Sequence, residues 1–565
     1  MLAFLEPLEE LADYQEIVRK RGKAEGILQI AGCVSSQKTH LMYALGDGFE
    51  YRVIVFSSEE KAKQAYAEYK MLEESTFLYP AKDLLFYHAD SKGAALTGKR
   101  MEVLKKLTEK KNREPVTVIT TADAFLDGLP SKEKLWESRI EIEAGAVIDF
   151  QKLQEELVHL GYERESQIEG PGQFAVRGGI LDVYPLTEEI PVRIELWGDE
   201  IDSIRSFDVE SQRSVENMEQ VVIYPATENV EKEEQAVSFA EYFPKEKSLF
   251  FFDEPVRLQE TLEAVEKEYF HSFESRKNAG MTEEADEIRV FQTKEIIEKF
   301  NTRYGIGLTT LETRCGGFKV RDVYSIQAAG VNPYNNSFEM LTQDLKKLKR
   351  QGYRVILVSG SRTRAKRLAE DLRDYDLSSF YSEDMVRTVR PGEIMVVYGC
   401  VAEGYEYPML KFMVISESDI FGKRKKKRRR KVYEGQKIQE FAELKPGDYV
   451  VHENHGLGVY QGIEKVEVDK VTRDYMKISY ADGGILYILA TQMDLIQKYA
   501  GADAKPPKLN KLGTPQWNKT KSQVKKAVQV IAQDLVELYA VRQQTEGFVY
   551  SPDTVWQKEI KEMFP

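Results

Sequence analysis

Length, composition and charge exclude several classes of protein for this chain. At 565 residues it is long enough for about three to five domains. A net charge of −13 argues against a chain that binds nucleic acid over its whole surface, and no apolar stretch approaches the roughly 20 residues of a membrane span. Its cysteines, Cys33, Cys315 and Cys400, are far apart, which argues against disulfides or a cysteine-based zinc site and favours the cytoplasm.

Residues 1–140 alternate between β-rich and helical runs, which predicts an α/β domain. Near its start, "IAGCVSSQKTHLMYAL" (residues 30–45) approaches the P-loop pattern G-x-x-x-x-G-K-[ST]. Gly32 opens the motif and Lys38 and Thr39 close it, but Gln37 replaces the second glycine. If that position has a positive φ, Gln37 costs on the order of 1 kcal/mol there. We therefore predict a degenerate P-loop that does not hydrolyse nucleotide.

A second carboxylate motif is the next candidate for nucleotide chemistry. The segment "SLFFFDEP", residues 248–255, reads as a buried strand followed by Asp253 and Glu254. An NTPase needs such a carboxylate for its metal ion, so a competent ATPase is the alternative. However, Pro255 follows at once and no downstream arginine-finger motif is evident, so the degenerate interpretation is preferred.

Residues 141–226 change to closely spaced, hairpin-like strands. In "PVRIELWGDE" the alternation of a strand places Val192, Ile194 and Leu196 on one face. The other face carries Arg193, Glu195 and Trp197, and Arg177 points away from the apolar face of its own strand. Tryptophan and arginine are enriched at binding hot spots, worth roughly 2 kcal/mol or more on truncation. The alternative is that Trp197 folds under a neighbouring loop, and the pattern alone favours neither.

The remaining chain is predicted to hold three further parts. Residues 341–422 read as a small α/β domain, and residues 445–510 as a small β-barrel in which His452 and His455 are structural rather than metal-binding. Between them, 423–444 is predicted to be a linker because 423–431 are nine consecutive basic residues; weak nonspecific attraction to DNA is the alternative. A long amphipathic helix is predicted at 522–544.

Three segments resemble one known family. In this order, "GPGQFAVRGGILDVYP", "PVRIELWGDEIDSIRSFD" and "LKPGDYVVHENHGLGVYQGI" resemble the bacterial transcription-repair coupling factors. The first two are similar to the module that this family shares with UvrB, and the third is similar to its CarD-like RNA polymerase interaction domain. The resemblance covers essentially the whole chain. It implies a multi-domain α/β fold: a UvrB-like degenerate P-loop module with an inserted α+β domain, a second small α/β domain, and an SH3-like (CarD-like) β-barrel followed by a long helix.

The resemblance also assigns roles to regions and residues. Residues 1–140 and 227–340 would form the split UvrB-like domain, without nucleotide activity, and 141–226 the inserted UvrA-binding domain. The family's UvrA contacts fall on Arg177, Arg193 and Trp197, where the family often has phenylalanine at the last position. Residues 445–510 would bind the RNA polymerase β subunit, with Val466 where the family has leucine. Residues 511–565 would hold the relay helix and the start of the translocase region.

The function implied is that of a monomeric scaffold forming the N-terminal half of the coupling factor. It would recruit UvrA and bind polymerase, and it would need no cofactor. The ATP- and Mg-dependent motor, which translocates on double-stranded DNA, would begin after Pro565. One alternative is a UvrB-like ATPase that loads onto damaged DNA. A standalone CarD-type regulator is another, but it explains only the barrel.

Overall fold

The computed structural model describes most of the chain in two compact units. The units are Met1–Gly435 with Ile463–Tyr475, and Gln436–Gly462 with Met476–Pro565. The predicted basic run at 423–431 and the predicted helix at 522–544 lie outside the described residues. No helix within the described residues is long and apolar enough to cross a membrane. The described ranges are 2–82, 94–109, 114–209, 211–228, 236–278, 290–383, 387–422, 436–437, 444–452, 455–468, 471–489, 496–499, 508–512, 514, 516–517 and 519–521.

The chain begins with alternating helices and strands. Strands β1, β2 and β4 are buried at every position, as expected for parallel strands covered on both faces. The helices are α1 (Leu2–Leu5), α2 (Ala12–Lys20), α3 (Ser35–Leu45), α4 (Glu59–Leu72), α5 (Ala94–Thr108) and α6 (Lys132–Glu137), and the strands are β1 (Gly26–Ala31), β2 (Tyr51–Phe56), β3 (Thr76–Tyr79) and β4 (Val116–Thr121).

An inserted domain follows, built on a six-stranded sheet in the order β11-β10-β9-β8-β7-β6. Helix α7 covers the inner face of this sheet through Leu153 and Leu157, and Asp149 caps the helix by accepting from the backbone N–H of Gln151 and Lys152. The elements are β5 (Ile140–Glu143), α7 (Phe150–His159), β6 (Glu163–Arg164), β7 (Gln173–Arg177), β8 (Ile180–Tyr184), β9 (Val192–Trp197), β10 (Glu200–Phe207), β11 (Ser214–Met218) and β12 (Gln220–Ile223), with β12 paired to β5.

The chain then returns to the first sheet. Strands from both sides of the insertion form one seven-stranded parallel sheet in the order β15-β1-β14-β13-β2-β4-β3. This order places the end of β13 close to the turn after β1, with only β14 between the two strands. The returning elements are β13 (Ser248–Asp253), α8 (Pro255–Asn278), α9 (Thr293–Asn301), β14 (Tyr304–Leu308) and β15 (Val320–Ser325).

A second α/β domain completes the described part of the first unit. Its sheet has the order β16-β20-β21-β17-β19-β18, in which β21, β17, β19 and β18 run parallel. The elements are β16 (Ala329–Gly330), α10 (Phe338–Arg350), β17 (Arg354–Ser359), α11 (Arg362–Arg373), β18 (Ser379–Ser382), β19 (Ile394–Tyr398), β20 (Tyr405–Tyr407), β21 (Phe412–Ser416) and α12 (Glu417–Phe421).

A further six-stranded sheet, in the order β22-β27-β23-β24-β25-β26, contains most of the strand residues of the second unit. Val450, Tyr460, Ile478 and Ile488 contribute to its apolar core. Closure of this sheet into an SH3-like barrel stays a prediction. The strands are β22 (Gln436–Lys437), β23 (Tyr449–His452), β24 (Gly456–Val468), β25 (Val471–Ser479), β26 (Ile485–Leu489) and β27 (Ile496–Lys498).

Candidate functional site

The P-loop-like turn after β1 is short and closed. Gly32 has φ +85°, and a Cβ there would lie 3.0 Å from the carbonyl oxygen of Ile326, so the position requires glycine. Helix α3 begins at Ser35, three residues before Lys38. The backbone N–H of Cys33 donates to the carbonyl of Thr309 at 3.1 Å. This N–H group, of the kind that a P-loop offers to phosphate, is therefore already used within the fold.

Gln37 lies inside α3, and the strain predicted for it from a positive φ is wrong. Because the helix starts earlier than in a P-loop, this position has ordinary helical backbone. Its side chain is fully buried, and its Oε1 accepts from the backbone N–H of Val34 at 3.0 Å. Gln37 thus caps the N-terminus of α3 through its side-chain oxygen. A glycine at this position has no side chain and could not make this hydrogen bond.

Lys38 is held by two carboxylates of its own domain. Its Nζ lies 2.6 Å from Asp253 Oδ1 and 2.7 Å from Glu254 Oε1, at the end of β13. Burial disfavours the charged form, but the two carboxylates outweigh it and raise the pKa of Lys38 above its ordinary value. Asp253 also accepts from Lys61 Nζ at 3.0 Å, and Glu254 from the backbone N–H of Thr310 at 2.9 Å. The residues predicted to resemble a metal-binding motif instead neutralise the P-loop lysine.

The second α/β domain covers the N-terminus of α3. Ser35 Oγ donates to the Glu403 carboxylate, so a side-chain anion lies beside the N-terminus of α3. Ser36 Oγ donates to Glu68 Oε1 at 2.7 Å and accepts from the backbone N–H of Glu403 at 3.2 Å. Glu68 Oε1 also accepts from the backbone N–H of Ala402 at 3.0 Å. These bonds join α3, α4 and the segment between β19 and β20.

The cavity beside this network is too small for a nucleotide. It encloses about 40 Å³, lined by Thr39, Glu68 and Cys400 among others. That is enough for a few water molecules, whereas small-molecule sites occupy about 300–1,000 Å³. Thr39 is buried here, although its hydroxyl corresponds to the metal-binding hydroxyl of a P-loop. Burial also raises the pKa of the Glu68 carboxyl.

The sequence analysis did not identify the two carboxylates that contact the start of α3. Glu403 lies 368 positions from Ser35, and Glu68 lies 32 positions from Ser36. No local pattern links such distant positions, so neither residue could have been selected from the sequence.

The outer face of the inserted sheet carries the predicted docking residues. Trp197 is 84 % exposed, at the last position of β9 before the turn to β10. The alternative in which a loop covers it is therefore wrong. Arg177 ends β7, is exposed, and donates to the carbonyl of Ser166 at 3.2 Å. Both residues are held by paired strands, so their backbones need little ordering to form a contact.

Arg193 lies on the same outer face, but its side chain makes more contacts within its own domain than the sequence pattern predicted. It makes two hydrogen bonds to the Asp182 carboxylate, at 2.7 and 2.9 Å, and one to Gln212 Oε1 at 2.7 Å. Its guanidinium lies 4.3 Å from the ring centroid of Phe207. Asp182 is directly opposite Arg193 in the β8–β9 register, and it is the partner that the sequence analysis did not identify. Arg193 therefore stabilises the sheet as well as contributing to its surface.

Val466 lies in β24, a strand bounded by Gly456 and Val468. His452 and His455 have ring centroids 4.8 Å apart, and burial lowers the pKa of both, that of His452 to about 3. Neutral, neighbouring imidazoles suit metal binding only with further ligands. The described residues contain no group of three or more His, Cys, Asp or Glu placed to hold a metal ion.

Two regions of the chain match family models. Residues 140–229 match the UvrB interaction domain, and residues 444–500 match the CarD-like/TRCF RID domain. These matches fall on the inserted sheet and on the sheet of the second unit. The fold and the two matches define a multi-domain α/β protein that carries a UvrB-type interaction domain and a CarD-like domain.

Curated relatives extend the similarity over nearly the whole chain. The transcription-repair-coupling factor of Bacillus subtilis (strain 168) is 28 % identical over 625 residues, covering 99 % of this chain and 52 % of the relative. Those of Staphylococcus aureus strains bovine RF122 / ET3-1 and MRSA252 are 30 % identical over 555 residues, covering 87 % of this chain and 46 % of each relative. The chain is thus homologous to transcription-repair-coupling factors, which confirms the resemblance found in its motifs. It spans about half the length of these relatives.

Proposed function

We propose that this chain is a docking scaffold within a transcription-repair coupling factor. The inserted domain binds UvrA, and the CarD-like domain binds the β subunit of RNA polymerase. The motor that translocates on double-stranded DNA, with its ATP and Mg²⁺, belongs to parts of the protein outside this sequence. The scaffold acts as a monomer in the cytoplasm.

The exposure of Trp197 is the observation that carries the proposal. Tryptophan and arginine are the side chains most enriched at the binding hot spots of protein interfaces. Here the ring is 84 % exposed, at the end of a strand whose inner positions, Val192 and Ile194, are buried. Arg177 and Arg193 lie on the same sheet; Arg177 adds positive charge to the contact, whereas the charge of Arg193 is already paired with Asp182.

The closed P-loop region favours the scaffold over a UvrB-like ATPase. An ATPase needs a lysine free to contact phosphate and a carboxylate free to bind metal. In this chain Lys38 pairs with Asp253 and Glu254, and the Glu403 carboxylate lies at the N-terminus of α3. Binding a triphosphate here would require breaking the buried Lys38–Asp253 pair and the partly buried Lys38–Glu254 pair, and displacing the segment that contains Glu403.

The polymerase assignment rests on the CarD-like match together with the position of Val466. The matched region, 444–500, contains β24, and Val466 lies near the end of that strand. We propose Val466 as part of the polymerase contact. A standalone CarD-type regulator is disfavoured because the similarity to coupling factors covers 99 % of the chain.

The test measures UvrA and polymerase binding side by side. The Trp197→Ala variant is expected to lose at least tenfold in UvrA affinity by calorimetry, in line with a hot spot worth about 2 kcal/mol. Val158→Ala is the matched control, since Val158 is also exposed in the inserted domain but lies on α7, which covers the opposite face. Both variants are expected to bind the polymerase β subunit as the unmodified chain does. Unchanged UvrA affinity in Trp197→Ala would reject the docking assignment.

A further inference from the structure

The N-terminal half of α11 is a basic surface in an acidic chain. Residues 362–367 read RTRAKR, with four basic residues and no acidic one, whereas the whole chain has a net charge of −13. Arg362, Arg364, Lys366 and Arg367 are all exposed, and the buried residues of α11 are Ala365, Leu368, Ala369 and Leu372. The apolar stripe therefore faces the domain core while the cations face solvent.

This placement opposes what helix stability alone favours. The N-terminus of a helix carries a partial positive charge, so basic residues there are unfavourable and acidic residues are favourable. The first turn of α11 has no acidic residue. The neighbouring helix α10 follows the stabilising pattern, with Glu339 in its first turn and Lys347, Lys349 and Arg350 in its last. The cations of α11 are thus not explained by helix stability.

Aromatic rings hold these cations in place. The Arg362 guanidinium lies 5.1 Å from the ring centroid of Tyr398, and Lys366 Nζ lies 5.3 Å from that of Tyr381. Tyr398 ends β19 and Tyr381 belongs to β18, so the cations are anchored at one edge of the sheet. Anchored cations lose less conformational freedom when they bind an anion.

The first turn of α11 lies where open α/β sheets bind ligands, beside the carboxyl ends of the parallel strands. It lies there because α11 directly follows β17 in the chain. The Glu417 carboxylate accepts from the backbone N–H of Gly360 at 2.7 Å and pairs with Arg364. Within the described residues, Arg362 and Arg367 form loose, exposed ion pairs, at 3.6 Å to Glu383 and 3.9 Å to Asp371. Such pairs are worth about 0–1 kcal/mol and are readily exchanged for an external anion.

We propose that Arg362, Lys366 and Arg367 bind the phosphate backbone of double-stranded DNA. Three exposed cations within two helical turns supply positive charge for contacts with the phosphates of a duplex. Single-stranded nucleic acid is bound largely by stacking of bases on open aromatic rings. At this edge Tyr398 and Tyr381 already carry cations on their faces, so the surface suits a backbone contact rather than base stacking. This role is independent of UvrA and polymerase binding.

The experiment compares two triple variants of the full 565-residue chain. The first is Arg362→Gln, Lys366→Gln and Arg367→Gln. The matched control is Lys346→Gln, Lys347→Gln and Arg350→Gln, which removes the same charge from exposed positions of α10 in the same domain. Arg364 stays unchanged because it holds Glu417. Affinity for a short fluorescein-labelled duplex is measured by anisotropy at several salt concentrations.

We expect the α11 variant to bind about tenfold more weakly at low salt, and the slope of log affinity against log salt to fall by about 0.9 for each lost phosphate contact. The α10 control is expected to bind as the unmodified chain does. The basic run at 423–431 is identical in all three proteins, so it does not contribute to the differences in their DNA affinity. The proposal would be overturned if both variants lost the same DNA affinity. It would also be overturned if the unmodified chain bound a single strand of the same sequence more tightly than the duplex.

Discussion

Lys38 and Asp253 form an ion pair of 2.6 Å between Nζ and Oδ1, although they are 215 positions apart in the sequence. The pair joins α3 to the end of β13, and Glu254 adds a second carboxylate at 2.7 Å. Both partners are largely removed from solvent, with side-chain exposures of 9 % and 2 %. The lysine that gives a P-loop its charge is here a structural element of the domain core.

Removing Lys38 should destabilise the first unit. In Lys38→Ala the Asp253 carboxylate stays buried with reduced compensation, which costs about 3 kcal/mol or more. Lys63→Ala is the control, because Lys63 pairs with Glu59 on the surface of α4 and its loss costs about 0.3–0.5 kcal/mol. Urea denaturation followed by circular dichroism checks both variants. Equal stability of the two would contradict the structural role of Lys38.

The chain is expected to show no ATPase activity and no ATP binding, because its phosphate-binding lysine is paired and the adjacent cavity encloses about 40 Å³. The measurement is a calorimetric titration with ATP and Mg²⁺ together with a phosphate-release assay. Turnover that disappears in Lys38→Ala would show that the site opens in solution.

Glu68 should stabilise the fold through the hydrogen bonds that its side chain accepts. Burial raises the pKa of Glu68, and Glu68→Gln keeps an acceptor for Ser36 and for the backbone N–H of Ala402. Glu68→Ala leaves both donors unpaired, at about 1–3 kcal/mol each. We expect the glutamine variant to keep slow hydrogen exchange at the Ala402 amide and the alanine variant to lose it. Loss in both variants would show that the negative charge is required.

His40 should make the first unit less stable in mild acid. Its ring is fully buried, with Nε2 2.9 Å from the carbonyl of Phe4 and Nδ1 3.0 Å from the hydroxyl of Tyr407. Burial lowers the pKa of His40 from 6.5 to about 4. The unfolded chain therefore binds the proton more readily, and stability falls as the pH drops from 6.5 towards 4. At about 1.4 kcal/mol per pKa unit, the loss is about 3 kcal/mol.

The check compares the unmodified chain with His40→Gln in urea denaturation between pH 7 and pH 4. The glutamine variant lacks this titration, so its stability should change less over the same interval. An identical pH dependence of the two proteins would reject the assignment to His40.

Truncating Trp197 and Arg193 should affect stability differently. Trp197→Ala is expected to change the free energy of unfolding by less than about 0.5 kcal/mol, because the ring is exposed. Arg193→Ala removes the partner of the buried Asp182 and should cost about 1–3 kcal/mol. Thermal unfolding of the single variants checks this. A stability loss in Trp197→Ala equal to that in Arg193→Ala would show that the tryptophan ring packs in its own domain.

Local pattern predicted the elements better than it predicted their partners. The segment 248–255 was predicted to begin with a buried strand, and it does form β13, because continuous apolar runs mark buried parallel strands. Alternation also placed Trp197 on the face opposite Val192 and Ile194. These signals are carried by neighbouring residues, so the sequence displays them directly.

What the sequence did not reveal depends on where α3 begins and on contacts between residues that are distant in the sequence. The earlier start of α3 removes the backbone strain expected at Gln37, and the acceptor role of its side chain depends on that local geometry. The pairing of Arg193 with Asp182 needs the β8–β9 register, and the contact of Ser35 with Glu403 needs two domains to meet. The separation in sequence is what hides these partners.

The occupation of the α3 N-terminus by Glu403 has a consequence for regulation. A ligand stabilises a fold, or alters its affinity for partners, only through differential binding between two states. Because the Glu403 carboxylate already accepts from Ser35 at this position, adenine nucleotide is not expected to stabilise the described part of the first unit. The proposed binding to UvrA and to polymerase should then not depend on the ATP concentration.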